Sequence, residues 1–533
     1  MPHPYQRPTQ TNILAAADNR QQAGTMNEAG KVMGNGSEGI VRDEKTGKQE
    51  SLKESFRRFI KDLTSPRLLL YKIIYFLNLA AIVILWPQFT VHQAALGLSI
   101  AHTGIFSTVE SAFNVFTPFL GGFVADKIGN YKIILILSSM LTSVLAFLHT
   151  LVPSATVSVA ANTTDITNIT DPLSTTTAAT PANDTSSPKL EVDPELITIT
   201  FWTYLAIRVS HGVLNTISFT LFDAAVMAEV QEKGTDYGFQ RAWGTLAAAV
   251  ASFLSGYLVQ ATGGYSMIFY VSAALQLLSA GLMLFLSLDF KPPATALTRL
   301  ILRLFANAEV IMFFIAILAA GVFFGFLETF MYRYIFSLGG DNRLLGLTVT
   351  VGTPFEFILN LLASFLVPYT GHASVIMFGL LGHAIRLLGF SYLENPWWVL
   401  GLEVLESVSN GLISTVGIMY CTVLFSLESI ASFRGIFVVV YYGVGRSIGA
   451  ASGSWLQDTF GERESYRVLA WVAFASTFLY AASFYSLKRW RTWRREAKTP
   501  DVVVHDDKVS TISHSDLQRK NSGIDNPSWV PEE

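Results

Sequence analysis

Residues 68–91 read LLLYKIIYFLNLAAIVILWPQFTV, and this stretch decides the fold. Tyr71, Lys72 and Asn78 are its main polar interruptions. An apolar run of about 20 residues is long enough to cross the hydrocarbon core of a bilayer as a helix. Because no water is available there, the backbone must satisfy its own hydrogen bonds, as a helix does. The stretch therefore predicts a transmembrane helix.

The rest of the chain repeats this pattern. Of its 533 residues 51% are hydrophobic and only 14% are charged, whereas soluble domains carry about 25% charged residues. The single cysteine, Cys421, excludes an intrachain disulfide and a cysteine-based zinc site. The predicted class is an all-α membrane protein with twelve spans. They are 68–91, 101–125, 133–152, 199–226, 242–262, 267–289, 309–331, 344–367, 373–393, 397–425, 433–457 and 466–488.

Composition divides the chain around these spans. Two lobes of six spans each, separated by a basic connector, suggest an internal duplication. The segment 51–67 has apolar residues on one helical face and basic residues on the rest, which indicates either an interfacial helix or a charged flank of the first span. The predicted parts are a disordered tail (1–50), the amphipathic segment (51–67), the first lobe (68–289) with a polar loop (153–198), the connector (290–308), the second lobe (309–488) and a polar tail (489–533).

Basic residues near the span ends predict the orientation. Most lie on the side that holds both termini, and cytosolic loops are the ones enriched in Lys and Arg. The loop 153–198 falls on the opposite side and carries glycosylation sequons at Asn162, Asn168 and Asn183. Both observations predict cytosolic termini and a glycoprotein of the plasma membrane or an endomembrane.

The two lobes share short sequence echoes. Glu110-Ser-Ala-Phe-Asn114 in span two corresponds to Glu356-Phe-Ile-Leu-Asn360 in span eight. Small residues recur every fourth position in spans five and eleven, where they allow close helix packing in lipid. These residues are Gly244, Ala248, Ser252 and Gly256 in span five and Gly445, Gly449 and Gly453 in span eleven.

The loop between spans two and three, residues 122–132, resembles the loop motif of the major facilitator superfamily. The resemblance implies a two-lobed transporter fold and a cytosolic gate formed by this loop. The counterpart loop, residues 368–372, lacks the acidic and basic residues, so no second gate of this type is expected. The motif residues are Gly122, Asp126, Lys127, Gly129 and Lys132.

Residues 237–245 and 442–449 carry a narrower resemblance. Tyr237-Gly238-Phe-Gln-Arg241-Ala-Trp243-Gly244 is similar to the animal major facilitator superfamily domain-containing protein 6 group and to its bacterial sugar- and nucleoside-proton symporter relatives. The branch usually shows Ser and Gly where this chain has Thr245 and Ala247.

Charged residues at mid-bilayer depth are the main candidates for a site. A charge there costs several kcal/mol unless it is paired or hydrated. Four lie about ten residues, roughly 15 Å, from the predicted outer end of their spans, and Arg446 has a similar depth in span eleven. In the resembled fold these spans line a central cavity. The four are Glu110, Arg208, Glu356 and Glu406.

We expect Glu110 to pair with Arg208, and Glu356 and Glu406 to share Arg446. Burial favours the neutral carboxyl and a nearby arginine favours the ionised one, so such a group can exchange between protonated and paired states. Permanent structural ion pairs are the alternative. Further candidates for the substrate and proton pathway are Asn114 and Asn360, which could instead serve helix packing, and His211, a relay or an ordinary buried histidine.

Other polar residues are interpreted as peripheral. His383 and Arg386 lie on span nine and are expected to be structural. Glu403 is expected near the outer water, Glu328 is a candidate outer gate, and Asp223 a cap or latch at the cytosolic end.

These features predict a secondary active or facilitative transporter of a small, polar solute that works by alternating access, with protons as the candidate coupling ion. No cofactor or metal is expected, and the partners are the solute, protons and the lipid bilayer. The sequence contains no His-Glu-x-x-His, no phosphate-binding loop and no Gly-x-Ser-x-Gly, so an enzyme is not predicted. A receptor, sensor or scaffold that retains the transporter fold is the alternative.

Overall fold

A computed structural model of the chain describes residues 40–42, 49–51, 69–158, 190–233, 237–286, 308–424 and 435–496. Twelve helices account for most of them, and we number them so that α1–α12 match the predicted spans. Among the described residues, ten of the helices are long and apolar enough to cross a membrane. The other two, α2 and α8, have 29 residues each and pack among the ten.

The helices follow one another with short connections. α1 (Leu69–Ala95) contains a 3₁₀ turn at Trp86–Gln88, and α10 and α11 each contain a π-helical segment. The others are α2 (Ile100–Ile128), α3 (Tyr131–Leu151), α4 (Pro194–Lys233), α5 (Tyr237–Thr262), α6 (Ser266–Met283), α7 (Ala308–Ser337), α8 (Asn342–Thr370), α9 (His372–Ser391), α10 (Val399–Glu406, Ser407–Gly411 and Leu412–Leu424), α11 (Gly435–Phe460) and α12 (Glu462–Glu496). The predicted twelve-helix, two-lobed membrane fold is confirmed.

Two short hairpins accompany the helices. β1 (Ile40–Arg42) pairs antiparallel with β2 (Gln49–Ser51), within and just after the tail predicted to be disordered. β3 (Thr156–Ser158) pairs with β4 (Leu190–Val192) and closes the base of the loop between α3 and α4. The sequons Asn162, Asn168 and Asn183, the connector 290–307 and the segment 52–67 lie outside the described residues.

A glycine ends α2, next to the motif loop 122–132, and another ends α8, next to the counterpart loop 368–372. α2 ends at Gly129, whose φ of 72° is left-handed and whose N–H bonds Ala125 O at 2.9 Å. α8 also ends at a glycine of positive φ, Gly371 (φ 81°), whose N–H bonds Val367 O at 2.8 Å, but its ψ of 150° is extended. Glycine reaches positive φ without steric cost. A glycine therefore ends the helix in both halves, although the chain leaves in different directions and the charges of the motif are present only in the first.

The first lobe, α1–α6, and the second lobe, α7–α12, touch mainly through two helix pairs, α2 with α11 and α5 with α8. Smaller contacts join α1 and α2 to α7, and α1 to α8. Glycines allow the backbones to meet there. A Cβ on Gly104 would lie 2.5 Å from Ser454 Cβ, and one on Gly346 would lie 3.1 Å from the backbone nitrogen of Gly256. Side chains larger than a hydrogen atom would force the helices apart at these crossings.

The hydrogen bonds between the lobes lie toward one end of the helices. Among the described residues seven hydrogen bonds join the lobes. All lie between the predicted outer helix ends and the depth of the innermost bonded residues, which are Thr108, Ala249, Thr350 and Ser447. Ser252 Oγ donates to Gly346 O at 2.8 Å in the middle of this set. We call this set the interlobe closure. It holds the lobes together at the predicted outer side.

Candidate functional site

In the first lobe, Glu110 on α2 faces Arg208 on α4, the pairing that the sequence suggested. Arg208 Nη2 lies 2.9 Å from Glu110 Oε2, with side-chain exposures of 13% and 9%. Gly212, one turn after Arg208, makes the approach possible, because a Cβ there would lie 2.9 Å from Glu110 Oε1. The angle between Arg208 Nη2 and Glu110 Oε2 does not meet hydrogen-bond geometry, so the contact is an ion pair without a hydrogen bond.

Aromatic side chains surround this pair on the predicted outer side. The Arg208 guanidinium lies 3.6 Å above the centre of the Phe89 ring, a cation–π contact. His211 is buried, with its ring centre 5.5 Å from that of His149 and 6.4 Å from that of Phe89. Among the described residues, His211 Nδ1 has no hydrogen-bond partner. His211 therefore lies beside the ion pair, with one ring nitrogen unused by the protein.

Asn114 and Asn360 make the same bond in the two lobes. Thr216 Oγ1 on α4 donates to Asn114 Oδ1 at 3.0 Å, and Thr415 Oγ1 on α10 donates to Asn360 Oδ1 at 2.8 Å. Each bond ties the second helix of its lobe to the fourth. The duplication predicted from the sequence thus extends to individual contacts, and the amide oxygens of both asparagines serve helix packing.

The equivalent of Arg208 in the second lobe is Ser407. The run Val209-Ser210-His-Gly212-Val-Leu-Asn-Thr216 on α4 corresponds to Val408-Ser409-Asn-Gly411-Leu-Ile-Ser-Thr415 on α10. Gly411 faces Glu356 as Gly212 faces Glu110, since a Cβ on Gly411 would lie 3.1 Å from Glu356 Cγ. This echo was available in the sequence and places a serine where the first lobe has its arginine.

Glu356 consequently lacks the partner that Glu110 has. Ser407 is too short to reach it and donates instead to Gly352 O at 3.2 Å. Within the described ranges no arginine or lysine forms a salt bridge with Glu356, although the charges of Arg241 and Glu406 act on it. The expectation that Glu356 shares Arg446 is wrong, because Arg446 is engaged by another carboxylate.

Arg386 is the partner of Glu406. Arg386 Nη2 donates to Glu403 Oε1 at 2.8 Å and to Glu406 Oε2 at 3.0 Å, both with hydrogen-bond geometry. The expectations that Glu406 binds Arg446 and that Glu403 faces the outer water are both wrong, since Glu403 is 1% exposed. Gly382, one turn before Arg386, lets α9 pack closely on α10, where Glu403 and Glu406 share a face.

Arg446 pairs with Glu328 on α7. Arg446 Nε lies 2.7 Å from Glu328 Oε2, with exposures of 17% and 7%, so Glu328 is a buried partner rather than an outer gate. Gly321 and Gly325 bring α7 against α11, and a Cβ on Gly325 would lie 2.9 Å from the carbonyl carbon of Arg446. Whether Glu328 faces Arg446 depends on how α7 is rotated about its axis. The spacing of residues in the sequence does not show that rotation.

Two π-helical segments flank the charges of the second lobe. One, Ser407–Gly411, directly follows Glu406, and the other, Val439–Gly445, directly precedes Arg446. Such segments are rare and are frequent at functional sites. Tyr441 OH in the second segment donates to Asn410 Oδ1 in the first at 2.8 Å. The two irregular segments are therefore bonded to each other.

A small cleft of about 20 Å³, room for about one water molecule, opens between these groups. Trp86 of the first lobe and Phe324, Glu328, Arg386 and Glu406 of the second contribute to its wall. Substrate sites of two-lobed transporters lie near mid-depth between the lobes. The cleft marks that position, and a small polar molecule would enter it only when the lobes separate further.

The remaining predicted residues lie at the helix ends. Lys127 is exposed and Lys132 is half-buried beside the turn at Gly129. The burial of Gly122 and the side chain of Asp126 are not among the described features of the chain. Asp223 accepts a hydrogen bond from Tyr75 OH and so ties α4 to α1. His383 is fully buried, in agreement with its structural interpretation.

Twelve helices in two lobes, with a charged cleft between them, define a membrane transporter of the major facilitator type. The profile described as the MFS_1 like family matches residues 68–468. The chain therefore belongs to the MFS_1 like family and is an integral multi-pass membrane protein.

Solved structures with this fold include two transporters. The structure of the nucleoside transporter NupG has a TM-score of 0.62 at 16% identity and covers 79% of this chain and 99% of that one. A bacterial homolog of the human lysosomal transporter Spinster, inward-facing and unoccupied, has a TM-score of 0.56 at 13% identity and covers 80% and 98%. At these identities the similarity concerns the fold.

Proposed function

We propose that the protein is a secondary transporter that carries a small polar solute by alternating access, with protons as the coupling ion. The observation that supports this most strongly is the cleft at mid-depth, which Trp86 of the first lobe lines together with charged and aromatic side chains of the second. The lobes are bonded only toward the predicted outer side among the described residues. Rocking about these contacts would expose the cleft to each side in turn.

The buried ion pairs support a role in transport beyond packing. The Glu110–Arg208 and Glu328–Arg446 contacts are ionic without aligned hydrogen bonds. An ion pair of this kind gains less from its geometry than one with aligned bonds, so it separates at lower cost. Glu356, which lacks an ion pair among the described residues, is one carboxylate suited to take up and release a proton. Glu110, Glu356, Glu406, Arg208, Arg446 and His211 form the proposed pathway, with Asn114 and Asn360 fixing its helices.

The direct test is solute flux in vesicles that contain the purified protein. An imposed pH gradient should drive uptake of at least one solute from a broad metabolite panel, and Glu110→Gln/Glu356→Gln should abolish the pH-dependent part. Glu464→Gln is the matched control, because Glu464 is half exposed and its ion pair among the described residues is with Arg467, three residues away. No flux of any solute by folded parent protein would instead support a receptor or scaffold role.

We further propose the orientation in which both termini and the motif of Gly122, Asp126, Lys127, Gly129 and Lys132 are cytosolic. The hairpin of β3 and β4 would then hold the base of the 153–198 loop on the outer side. Glycosidase treatment should shift the mobility of the parent protein, and replacing Asn162, Asn168 and Asn183 with glutamine should remove that shift. A parent that never carries glycans in a secretory-pathway host would argue against this orientation.

The branch of the family is also a proposal. It rests on the sequence motifs alone; in the fold Gly244 packs closely on α1, because a Cβ there would lie 2.7 Å from Leu79 Cδ2. The Trp-Gly motif that resembles the major facilitator superfamily domain-containing protein 6 group thus has a packing role between α5 and α1. The lobe boundaries 68–289 and 309–488, which come from the twelve predicted spans and the connector between them, are proposed as well.

A further inference from the structure

The cleft between the lobes has an unbalanced charge. Glu328 is matched by Arg446, but the single positive charge of Arg386 is shared by Glu403 and Glu406. Two ionised carboxylates on one guanidinium leave one negative charge without a counter-ion. A buried charge without compensation is costly, so the group formed by Arg386, Glu403 and Glu406 requires one further positive charge.

Glu406 is the member of this group that a ligand can reach. The Glu403 side chain is 1% exposed, whereas that of Glu406 is 32% exposed and lies in the wall of the cleft. Glu406 uses one oxygen for Arg386, and a carboxylate offers further acceptor positions on both oxygens. The missing positive charge can therefore be supplied from the cleft at Glu406.

Apart from Glu328 and Arg386, the rest of the wall is aromatic and apolar. Trp86 is 36% exposed and, with Phe324 and Met331, lines the same cleft as Glu406. An ammonium group near an indole face gains cation–π attraction in addition to the ion pair, and the body of the ligand gains apolar contacts. An anion cannot replace the missing positive charge and would face the carboxylates of the wall, so it is disfavoured there.

A second observation points to an acceptor atom on the same ligand. Arg386 is 2% exposed and lines the cleft, and its Nε has no hydrogen-bond partner among the described residues. A buried N–H donor without a partner costs about 1–3 kcal/mol. A hydroxyl or carbonyl oxygen on the bound molecule would satisfy it.

From these features we propose that the transported solute is a small organic cation, an amine protonated at neutral pH, whose ammonium group pairs with Glu406 beside Trp86. This solute class rests on the transport function proposed above. A proton on the Glu403–Glu406 pair and the ammonium group supply the same single positive charge. Binding of the cation therefore releases one proton from this pair, and the coupling is an exchange of cation for proton.

The test uses three probes that share a phenyl group and a two-carbon chain: phenylethylamine, phenylethanol and phenylpropionate. Binding to the purified full-length chain is measured by calorimetry in two buffers of different ionisation enthalpy, which also counts released protons. The amine should bind at least tenfold more tightly than the alcohol or the acid, with proton release. Equal binding of the alcohol, or tighter binding of the acid, would overturn the proposal.

Two variants locate the site. Glu406→Gln keeps the Arg386–Glu403 bond and should weaken amine binding at least tenfold while abolishing proton release, whereas Glu464→Gln should bind like the parent. Trp86→Leu should weaken phenylethylamine severalfold and leave methylamine unaffected. Amine binding that is unchanged in both Glu406→Gln and Trp86→Leu would show that the cation is held elsewhere and would reject the site.

Flux measurements in vesicles distinguish the proposed cation site from the proposed transport function. Amine binding with proton release but without amine flux would retain the cation site and reject transport. Flux of neutral or anionic solutes without amine binding would retain transport and reject the organic cation. Amine uptake that drives protons outward would support both.

Discussion

The phenol of Tyr441 donates a hydrogen bond of 2.8 Å to Asn410 Oδ1 and thereby joins the two π-helical segments of the second lobe. The Tyr441 side chain is fully buried, and its ring stacks on Phe324 in the wall of the cleft and on Phe437. The segments next to Glu406 and Arg446 are therefore linked by a single polar bond within an aromatic stack. This bond connects the two charged helices of the lobe independently of their ion pairs.

Tyr441→Phe should test that connection. The variant keeps the aromatic stack and removes the bond, so we expect a loss of about 1 kcal/mol in the free energy of unfolding and an altered rate of solute exchange. Thermal denaturation and vesicle flux measure the two effects. Tyr257→Phe is the control, since that side chain is half exposed. Identical behaviour of the two variants would mean that the bond does not hold the segments.

Glu110→Gln and Glu356→Gln should differ in stability although they are equivalent positions of the duplication. Glu110→Gln leaves Arg208 without its counter-charge, which costs about 3–5 kcal/mol in a buried pair. Glu356→Gln breaks no salt bridge among the described residues and should change stability by less than about 1 kcal/mol.

Thermal denaturation of the two purified variants checks this difference. Glu110→Gln/Arg208→Gln should recover most of the loss, because both charges are then removed. Equal melting temperatures for the two single variants would contradict the assigned pairing.

Arg333→Gln should loosen the interlobe closure. Arg333 Nη1 on α7 donates to Leu98 O at 3.0 Å and contacts Thr103 Oγ1 at 3.4 Å on the opposite lobe. Losing these contacts should raise the population open at the predicted outer side by roughly tenfold, since each 1.4 kcal/mol is a factor of ten.

Labelling of a cysteine introduced as Thr108→Cys reports this opening, with little background because Cys421 is buried. Arg463→Gln is a matched control, as Arg463 also donates to a backbone carbonyl, that of Leu393, but within its own lobe. Equally fast labelling in the two arginine variants would exclude Arg333 from the closure.

Gly256→Ala should strain the crossing of α5 and α8. Its Cβ would lie 2.9 Å from Arg343 Cα and would also meet the Asn342 carbonyl oxygen. Overpacking of this kind costs about 1–3 kcal/mol and should push the lobes apart. Gly281→Ala on α6 has no atom within 4 Å of its Cβ and should be neutral or slightly stabilising. A Gly256→Ala protein as stable as Gly281→Ala would show that the crossing can relax.

The helices were predictable because lipid imposes a length and a composition on them. The Glu110–Arg208 contact was also predictable, since both residues have the same depth and few other charges compete for them. The contacts of Arg386 and Glu328 were not, because a pairing within a bundle depends on the rotation of each helix, which short glycine contacts decide.

The π-helical segments carry no recognised sequence signal. Their positions after Glu406 and before Arg446 became visible only in the backbone. The interlobe closure was equally hidden, since the side on which two lobes meet depends on the conformational state as well as on the sequence. The small residues of α5 and α11 indicated which helices cross, but not how far the contact extends.

The first lobe has an arginine where the second lobe has Ser407, and this difference changes how the equivalent helices are joined. In the first lobe an ion pair and the Thr216–Asn114 hydrogen bond join α2 to α4. Among the described residues of the second lobe, hydrogen bonds alone join α8 to α10, and α10 and α11 each contain a π-helical segment. We therefore expect α10 and α11 to deform more readily than the helices of the first lobe when a solute is loaded.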